Sequence, residues 1–290
     1  MLFRSRDFDF RQMVRVQADG TNPPIIAINN TGAYYLLAKR LGPQQPVTSL
    51  QVFDPSVRRS SLPGTLEEIA AEYVQLIRRV HPRGPYVLAG WCVAGALAFE
   101  IARQLVESGQ PVAHLFLIDT WLPRYFARLP VWRRVIGNQS MRWQMTRFEW
   151  RKFTAGQQTL KDFFNRLITV RRVQSLVERI AGSAASAEPQ QPAIAPQDYD
   201  QWLLQYLRSR TDCYEPQPYR GRITLFRSTH EPTGWWFDPL AGWGRYASAG
   251  VELVTVPGNH FTMFQEPGCA QMATRMAAII AQTPVPSADE

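Results

Sequence analysis

The stretch Tyr86-Val87-Leu88-Ala89-Gly90-Trp91-Cys92-Val93-Ala94-Gly95-Ala96-Leu97-Ala98-Phe99-Glu100 constrains the fold more than any other. It opens with a short apolar run, the pattern of a buried parallel strand. It closes with Ala, Leu, Phe and Glu at helical spacing, continuing through Ile101-Ala102-Arg103-Gln104-Leu105. Between them lies Gly90-x-Cys92-x-Ala94-Gly95. A strand that turns at once into a helix, with a nucleophile at the turn and small residues on either side, is the nucleophile-elbow pattern. Such a turn is sharp, and a Cβ at the flanking positions crowds the strand–helix crossing. Gly90 meets that demand fully; Ala94 meets it less well, and Gly95 relieves some of the crowding. A free Cys is more commonly a small buried hydrophobe, so a base and an acid elsewhere must decide between the two readings of Cys92.

The rest of the chain supplies an alternating pattern. Met13–Gly20 reads as a short strand and turn, and Pro24–Ile28 as a buried strand. The polar loop Asn29-Asn30-Thr31-Gly32 follows, then a helix over Ala33–Leu41 and a strand over Val47–Phe53. Thr65 and Glu68 form a capping box for a helix ending at Val80. After the elbow, Val112–Asp119 is a strand that ends on an acid. Apolar strands alternating with helices predict a mostly parallel central sheet with helices on both faces. The rhythm breaks after Thr120. Residues 124–210 carry no strand until the sheet resumes at Arg222–Arg227 and Val251–Val256, before a last helix over Pro267–Ala281. This places a core at 1–123 and 211–290 and a helical lid insertion at 124–210, with a mobile Ala/Ser/Pro/Gln-rich loop at 181–197.

Composition narrows the setting. No run is long enough to span a bilayer, and the first ten residues interleave charges with aromatics, unlike a secretion signal. Three cysteines, Cys92, Cys213 and Cys269, are an odd number without metal-site spacing. A reduced, cytoplasmic protein without metal or cofactor is expected. The net charge of +8 favours an acidic partner, but no nucleic-acid-binding motif accompanies it.

The elbow needs a base, and the chain offers His81, His114, His230 and His260. His81 lies in a Pro-Arg-Gly loop, His114 inside a strand and His230 after a strand end. His260 sits in Gly258-Asn259-His260-Phe261-Thr262-Met263, directly after the last strand. Active sites of open parallel sheets lie at the carboxyl ends of the strands. Cys92, Asp119 and His260 all fall just beyond such ends, in the order nucleophile, acid, His. Asp238 is the rival acid, and Glu231 a weaker one.

With these residues in place, the chain resembles the thioesterase domains of nonribosomal peptide and polyketide synthases and their stand-alone relatives. The likeness runs from the Pro24 strand through Gly90-Trp91-Cys92-Val93-Ala94-Gly95 and Phe116-Leu117-Ile118-Asp119-Thr120. It continues through Tyr219-Arg220-Gly221-Arg222-Ile223-Thr224-Leu225-Phe226, Asp238-Pro239-Leu240-Ala241-Gly242-Trp243 and Gly258–Met263. The resemblance implies an α/β-hydrolase fold with a helical lid, and it favours Asp119 over Asp238 as the acid. It implies an acyl group delivered on a carrier protein's phosphopantetheine, passed to the enzyme nucleophile and then to water, an amine or a hydroxyl. The oxyanion hole it implies uses the amides of Val93 and Thr31. Two features depart from the family. The nucleophile position holds Cys where most members have Ser, and the loop after the Pro24 strand is shorter and poorer in Gly.

The cysteine changes the chemistry to be expected. An adjacent His and a helix N-terminus both favour a thiolate. Moving an acyl group from one thiol to another nearly conserves the activation of the thioester. A Cys enzyme can therefore hand the group to a poor acceptor: an amine, an internal hydroxyl or a second carrier thiol. Three functions follow: an acyl hydrolase or acyltransferase, an aminoacyl shuttle between two carriers, or a non-catalytic carrier-binding module. Arg124, Arg128, Arg133, Arg134, Arg142 and Arg147 in the lid would face an acidic carrier protein. The insertion's aromatics, among them Trp132, Trp143, Trp150, Phe163 and Phe164, suggest an apolar acyl channel.

Overall fold

The computed structural model describes residues 13–51, 62–154, 156, 159–160, 199–229 and 237–282. The loop at 181–197, His230, Glu231, Phe163 and Phe164 lie outside them. Seven strands form one sheet: β1 (Met13–Gln17), β2 (Ile25–Ile28), β3 (Val47–Leu50), β4 (Tyr86–Trp91), β5 (Val112–Ile118), β6 (Ile223–Ser228) and β7 (Val251–Val256). Their order is β1-β3-β2-β4-β5-β6-β7. β1 pairs antiparallel with β3, and every other neighbouring pair is parallel. β4, which carries the elbow, pairs with β2 on one side and β5 on the other.

The helices are α1 (Thr31–Leu41), α2 (Leu66–Val80), α3 (Val93–Glu107), α4 (Tyr125–Arg128), α5 (Val131–Thr154), α6 (Tyr199–Cys213) and α7 (Gly268–Ile280). They cover both faces of the sheet because the strand residues alternate. Ile26, Ile28 and Leu88 join Ile69, Tyr73, Phe99 and Leu105 of α2 and α3 in one buried cluster. Ile25, Ala27 and Val87 join Tyr34 of α1 and Met272 and Met276 of α7 in the other. A parallel sheet covered on both faces is the arrangement its uninterrupted apolar strands require.

Helix α2 starts where the capping box places it. The Thr65 side chain accepts from the Glu68 amide at 3.1 Å, and the Glu68 carboxylate accepts from the Thr65 amide. Helix α1 starts two residues before the expected Ala33. Its N-cap, Asn30, has a left-handed backbone and makes no side-chain cap, so the usual start signal is missing. The stretch 124–210 carries helices and no strand in its described parts. Its last helix, α6, is fastened to the core: Tyr206 and Leu207 are buried, and the Tyr206 hydroxyl donates to the Pro63 carbonyl at 2.6 Å. Tyr214, just after α6, donates to the buried carboxylate of Glu100 on α3 at 2.6 Å. Among the described residues no helix is long and apolar enough to cross a membrane.

Candidate active site

Cys92 is the residue between β4 and α3. Its backbone lies at φ 57° and ψ −126°, a region that L-residues rarely occupy. Two hydrogen bonds hold it there. Its amide donates to the Ile118 carbonyl at 3.0 Å, and its carbonyl accepts from the Gly95 amide at 3.1 Å. The flanking small residues are needed for contact. A Cβ on Gly90 would lie 2.5 Å from the Ala94 carbonyl oxygen and 2.7 Å from Gly95 Cα. A Cβ on Gly95 would lie 1.9 Å from the Thr120 hydroxyl. The elbow is thus tied to the end of β5, where the acid stands.

Asp119 follows β5 with φ 45° and is buried. Its amide donates to the Phe226 carbonyl of β6 at 2.7 Å. Its Oδ2 lies 2.8 Å from Nδ1 of His260, in the loop after β7. That pairing suits a ring that donates from Nδ1, and the ring lines the same cavity as Cys92. Burial by itself lowers the His260 pKa; the bonds to Asp119 and Cys92, with the charges of the same groups, outweigh it and lift it to about 10. Cys92, His260 and Asp119, drawn from three strand ends, are therefore brought together: His260 is hydrogen-bonded to Asp119 and lines one cavity with Cys92. Asp238 is placed otherwise. Its carboxylate oxygens accept from the amides of Leu240 and Gly242 at 2.9 and 3.0 Å, and its own amide donates to the Tyr125 hydroxyl at 2.7 Å. His81 and His114 sit apart from this group, as the C-cap of α2 and within β5.

A cavity of about 500 Å³ opens over Cys92. On one side are Asn30, Thr31 and Gly32 at the start of α1, facing Cys92 and Val93 at the start of α3. First-turn amides have no intrahelical acceptor, so both helices turn donors and positive dipole ends toward the space beside the thiol. The Thr31 hydroxyl lies 2.8 Å from that of Ser49. The opposite wall is apolar: Leu203, Leu204 and Leu207 of α6, with Phe261.

Three residues of the site escaped the sequence reading. Asn29 is buried at φ 55°, and its Oδ1 accepts from the Tyr73 hydroxyl, which fixes the loop before α1. Trp91 packs its ring 5.1 Å from the His260 imidazole and 5.1 Å from Phe264, backing the base on its far side. Arg227, at the end of β6, has its guanidinium 3.6 Å from Asp119 Oδ1 and 4.0 Å over the Trp121 ring. A left-handed turn could be suspected from two successive Asn at a strand end. No local signal marks the other two. Among the described residues no cluster of three or more His, Cys, Asp or Glu could hold a metal ion.

The chain as a whole matches a known family. A family model for the thioesterase domain aligns with residues 23–280. The chain belongs to the thioesterase domain family. Relatives of this thioesterase domain include a dimodular nonribosomal peptide synthase of Bacillus subtilis, 27% identical over 278 residues, or 91% of this chain and 11% of the relative. A non-reducing polyketide synthase of Pseudevernia furfuracea is 25% identical over 224 residues, 73% of this chain and 10% of the relative. The thioesterase domain thus spans about a tenth of these synthases. Among solved structures, the NocB thioesterase domain of the nocardicin cluster superposes with a TM-score of 0.59 at 24% identity, covering 92% of this chain and 99% of that one. The thioesterase domain that cyclises the lipopeptide surfactin superposes at 0.57 with 16% identity, covering 95% and 98%. At these identities the likeness concerns the α/β-hydrolase fold.

Proposed function

We propose that this thioesterase domain takes an acyl or peptidyl group from a carrier protein's phosphopantetheine thioester onto Cys92 and releases it by hydrolysis, cyclisation or transfer. The observation that carries the reading is the grouping of Cys92 with the hydrogen-bonded pair His260–Asp119 at a cavity flanked by two helix N-termini. In the first half-reaction the Cys92 sulfur attacks the thioester carbonyl, and the carbonyl π electrons move to oxygen. The amides of Val93 and Thr31 are suited to receive that oxyanion. Collapse breaks the C–S bond to phosphopantetheine, whose thiolate takes a proton from His260. In the second half, His260 accepts the proton of the incoming water, alcohol, amine or thiol as its heteroatom attacks the acyl-Cys92 carbonyl. Collapse returns the electron pair to the Cys92 sulfur. Asp119 keeps the ring in the Nδ1–H tautomer through both halves.

A shuttle of aminoacyl groups between carriers would use the same three residues with a thiol acceptor. It needs a counter-charge for an α-ammonium, and the described cavity residues include no carboxylate. Neutral acyl groups with apolar chains suit the leucine wall better. The test is intact-protein mass spectrometry after incubation with acyl- and aminoacyl-N-acetylcysteamine thioesters, and with loaded carrier protein. A mass gain lost in Cys92→Ala is expected. Unchanged mass with both substrate forms, in a folded protein, would refute the reading. An adduct that persists for hours would indicate transfer; a transient one with free acid accumulating would indicate hydrolysis.

A further inference from the structure

Asp119 uses only one of its oxygens on His260. Oδ1 accepts no hydrogen bond from the described residues, although the carboxylate is fully buried. An ionised carboxylate in that position carries a large desolvation cost unless a positive charge is near. The structure provides one in Arg227. Its side chain and that of Asp119 are 0% and 1% exposed, with Nη1 3.6 Å from Oδ1. That separation is a charge contact, too long for a hydrogen bond. The guanidinium carbon lies over the Trp121 ring, 4.0 Å from its centroid, and desolvated cation–π contacts are the stronger kind. Trp121 is itself fixed by Tyr125 and Phe126, at centroid distances of 4.9 and 4.8 Å, and by Phe237 at 5.9 Å. The pairing also follows from the sheet. The Asp119 amide bonds the Phe226 carbonyl, so the next residue of β6 is held level with the carboxylate.

We propose that Arg227 is a positioning residue of the catalytic line: its buried charge offsets that of the Asp119 carboxylate and thereby sets the protonation balance of Cys92 and His260. This rests on the proposed roles of those three residues. The described charged or titratable groups around the contact include Asp119 itself, His260 across its Oδ2, Cys92 in the same cavity as that ring, Tyr125 against Trp121, and Asp238 in the loop next to Phe237. Asp238 is spent on backbone amides, so within this set the only positive charge that Asp119 meets besides His260 is Arg227. Removing it makes the site more negative. Protons are then held more tightly, and formation of the Cys92 thiolate moves to higher pH.

The experiment measures alkylation of Cys92 by iodoacetamide against pH, followed by peptide mapping to separate it from Cys213 and Cys269. It reads the thiolate directly and needs no acyl substrate, so it stands whether or not the acyl-transfer reading holds. Arg227→Gln should raise the midpoint of the acid limb by about 0.5–1 pH unit. Arg227→Lys keeps the charge but loses the planar fork, and its midpoint should stay within about 0.3 unit of wild type. A midpoint in Arg227→Gln that is unchanged or lowered would overturn the proposal. Should Arg227→Gln fail to fold, Arg227→Lys decides: a wild-type midpoint supports the electrostatic role, and a rise of half a unit or more refutes it.

Discussion

Cys92 is held in a strained backbone conformation by bonds from Ile118 and Gly95, not by its own side chain. Exchanging its side chain should therefore leave the elbow in place and change only the chemistry. In Cys92→Ser the acyl-enzyme becomes an oxygen ester, a poorer acyl donor to amines than a thioester. The ratio of aminolysis to hydrolysis should fall by at least about tenfold, measured by product analysis with an acyl thioester and a competing amine; an unchanged ratio would remove the reason offered for a cysteine. The same variant isolates the titration of His260. Its pKa is raised in the fold, in part by the Asp119 bond. A raised pKa adds stability that is complete below the ordinary value of about 6.5 and is lost as pH climbs through the folded value. The melting temperature of Cys92→Ser should thus exceed that of Cys92→Ser/Asp119→Asn most near pH 6, with the gap narrowing as pH rises above that. A gap that widened with pH would contradict the assigned direction. At this scale the sequence told much about Cys92 and His260, because each lies in a short run with its own pattern. It could not separate Asp119 from Asp238 without a resemblance, since both follow apolar strands. The difference lies in the amides of Leu240 and Gly242, which occupy one carboxylate and not the other. Arg227 was illegible for a similar reason: an arginine at a strand end looks solvent-bound until β5 and Trp121 close over it.

Elements were legible where their signals are local. The strand–turn–helix at 86–105 and the capping box at Thr65–Glu68 each fit within a short window, and both stand as read. Helix α1 starts before the expected Ala33, with no side chain to cap it; Thr31 and Gly32 of its first turn line the cavity. The expected strand over Val47–Phe53 is seen as Val47–Leu50, with residues 52–53 outside the described set. These contrasts predict unequal costs. Gly90→Ala would drive a Cβ against Ala94 and Gly95, backbone that cannot yield without moving α3 away from β4. It should destabilise by about 1–3 kcal/mol or more, read as a lower urea midpoint at unchanged slope. Thr65→Ala removes one cap bond at an exposed helix end and should cost about 1 kcal/mol. A Gly90→Ala protein as stable as wild type would mean that the elbow tolerates a wider crossing than the contacts allow.

At the scale of the whole molecule, the net charge of +8 favours acidic partners in general, and the arginines of the insertion narrow where one would dock. Arg124 and Arg128 reach back to Glu215, so part of the expected basic face is neutralised within the chain. Arg133 and Arg147 lie on α5 over the rings of Trp132 and Trp143, which are 54% and 62% exposed. Helix α5 follows α4, whose neighbouring Trp121 backs Arg227, so a partner seated there would lie close in sequence to the machinery it supplies. Exposed charges act over roughly a Debye length, about 8–10 Å in physiological salt, and fade as salt is added. An acidic carrier protein docking on α5 should therefore be steered by Arg133 and Arg147, whereas a small neutral thioester should not. Arg133→Glu/Arg147→Glu should lower kcat/KM for a carrier-bound acyl thioester by about tenfold at low ionic strength, with the deficit shrinking as salt rises. The same variant should turn over the matching N-acetylcysteamine thioester as wild type does, because neither residue lines the cavity. Equal loss on both substrates would assign these arginines to the fold of the lid, and no loss on either would place the carrier on another face.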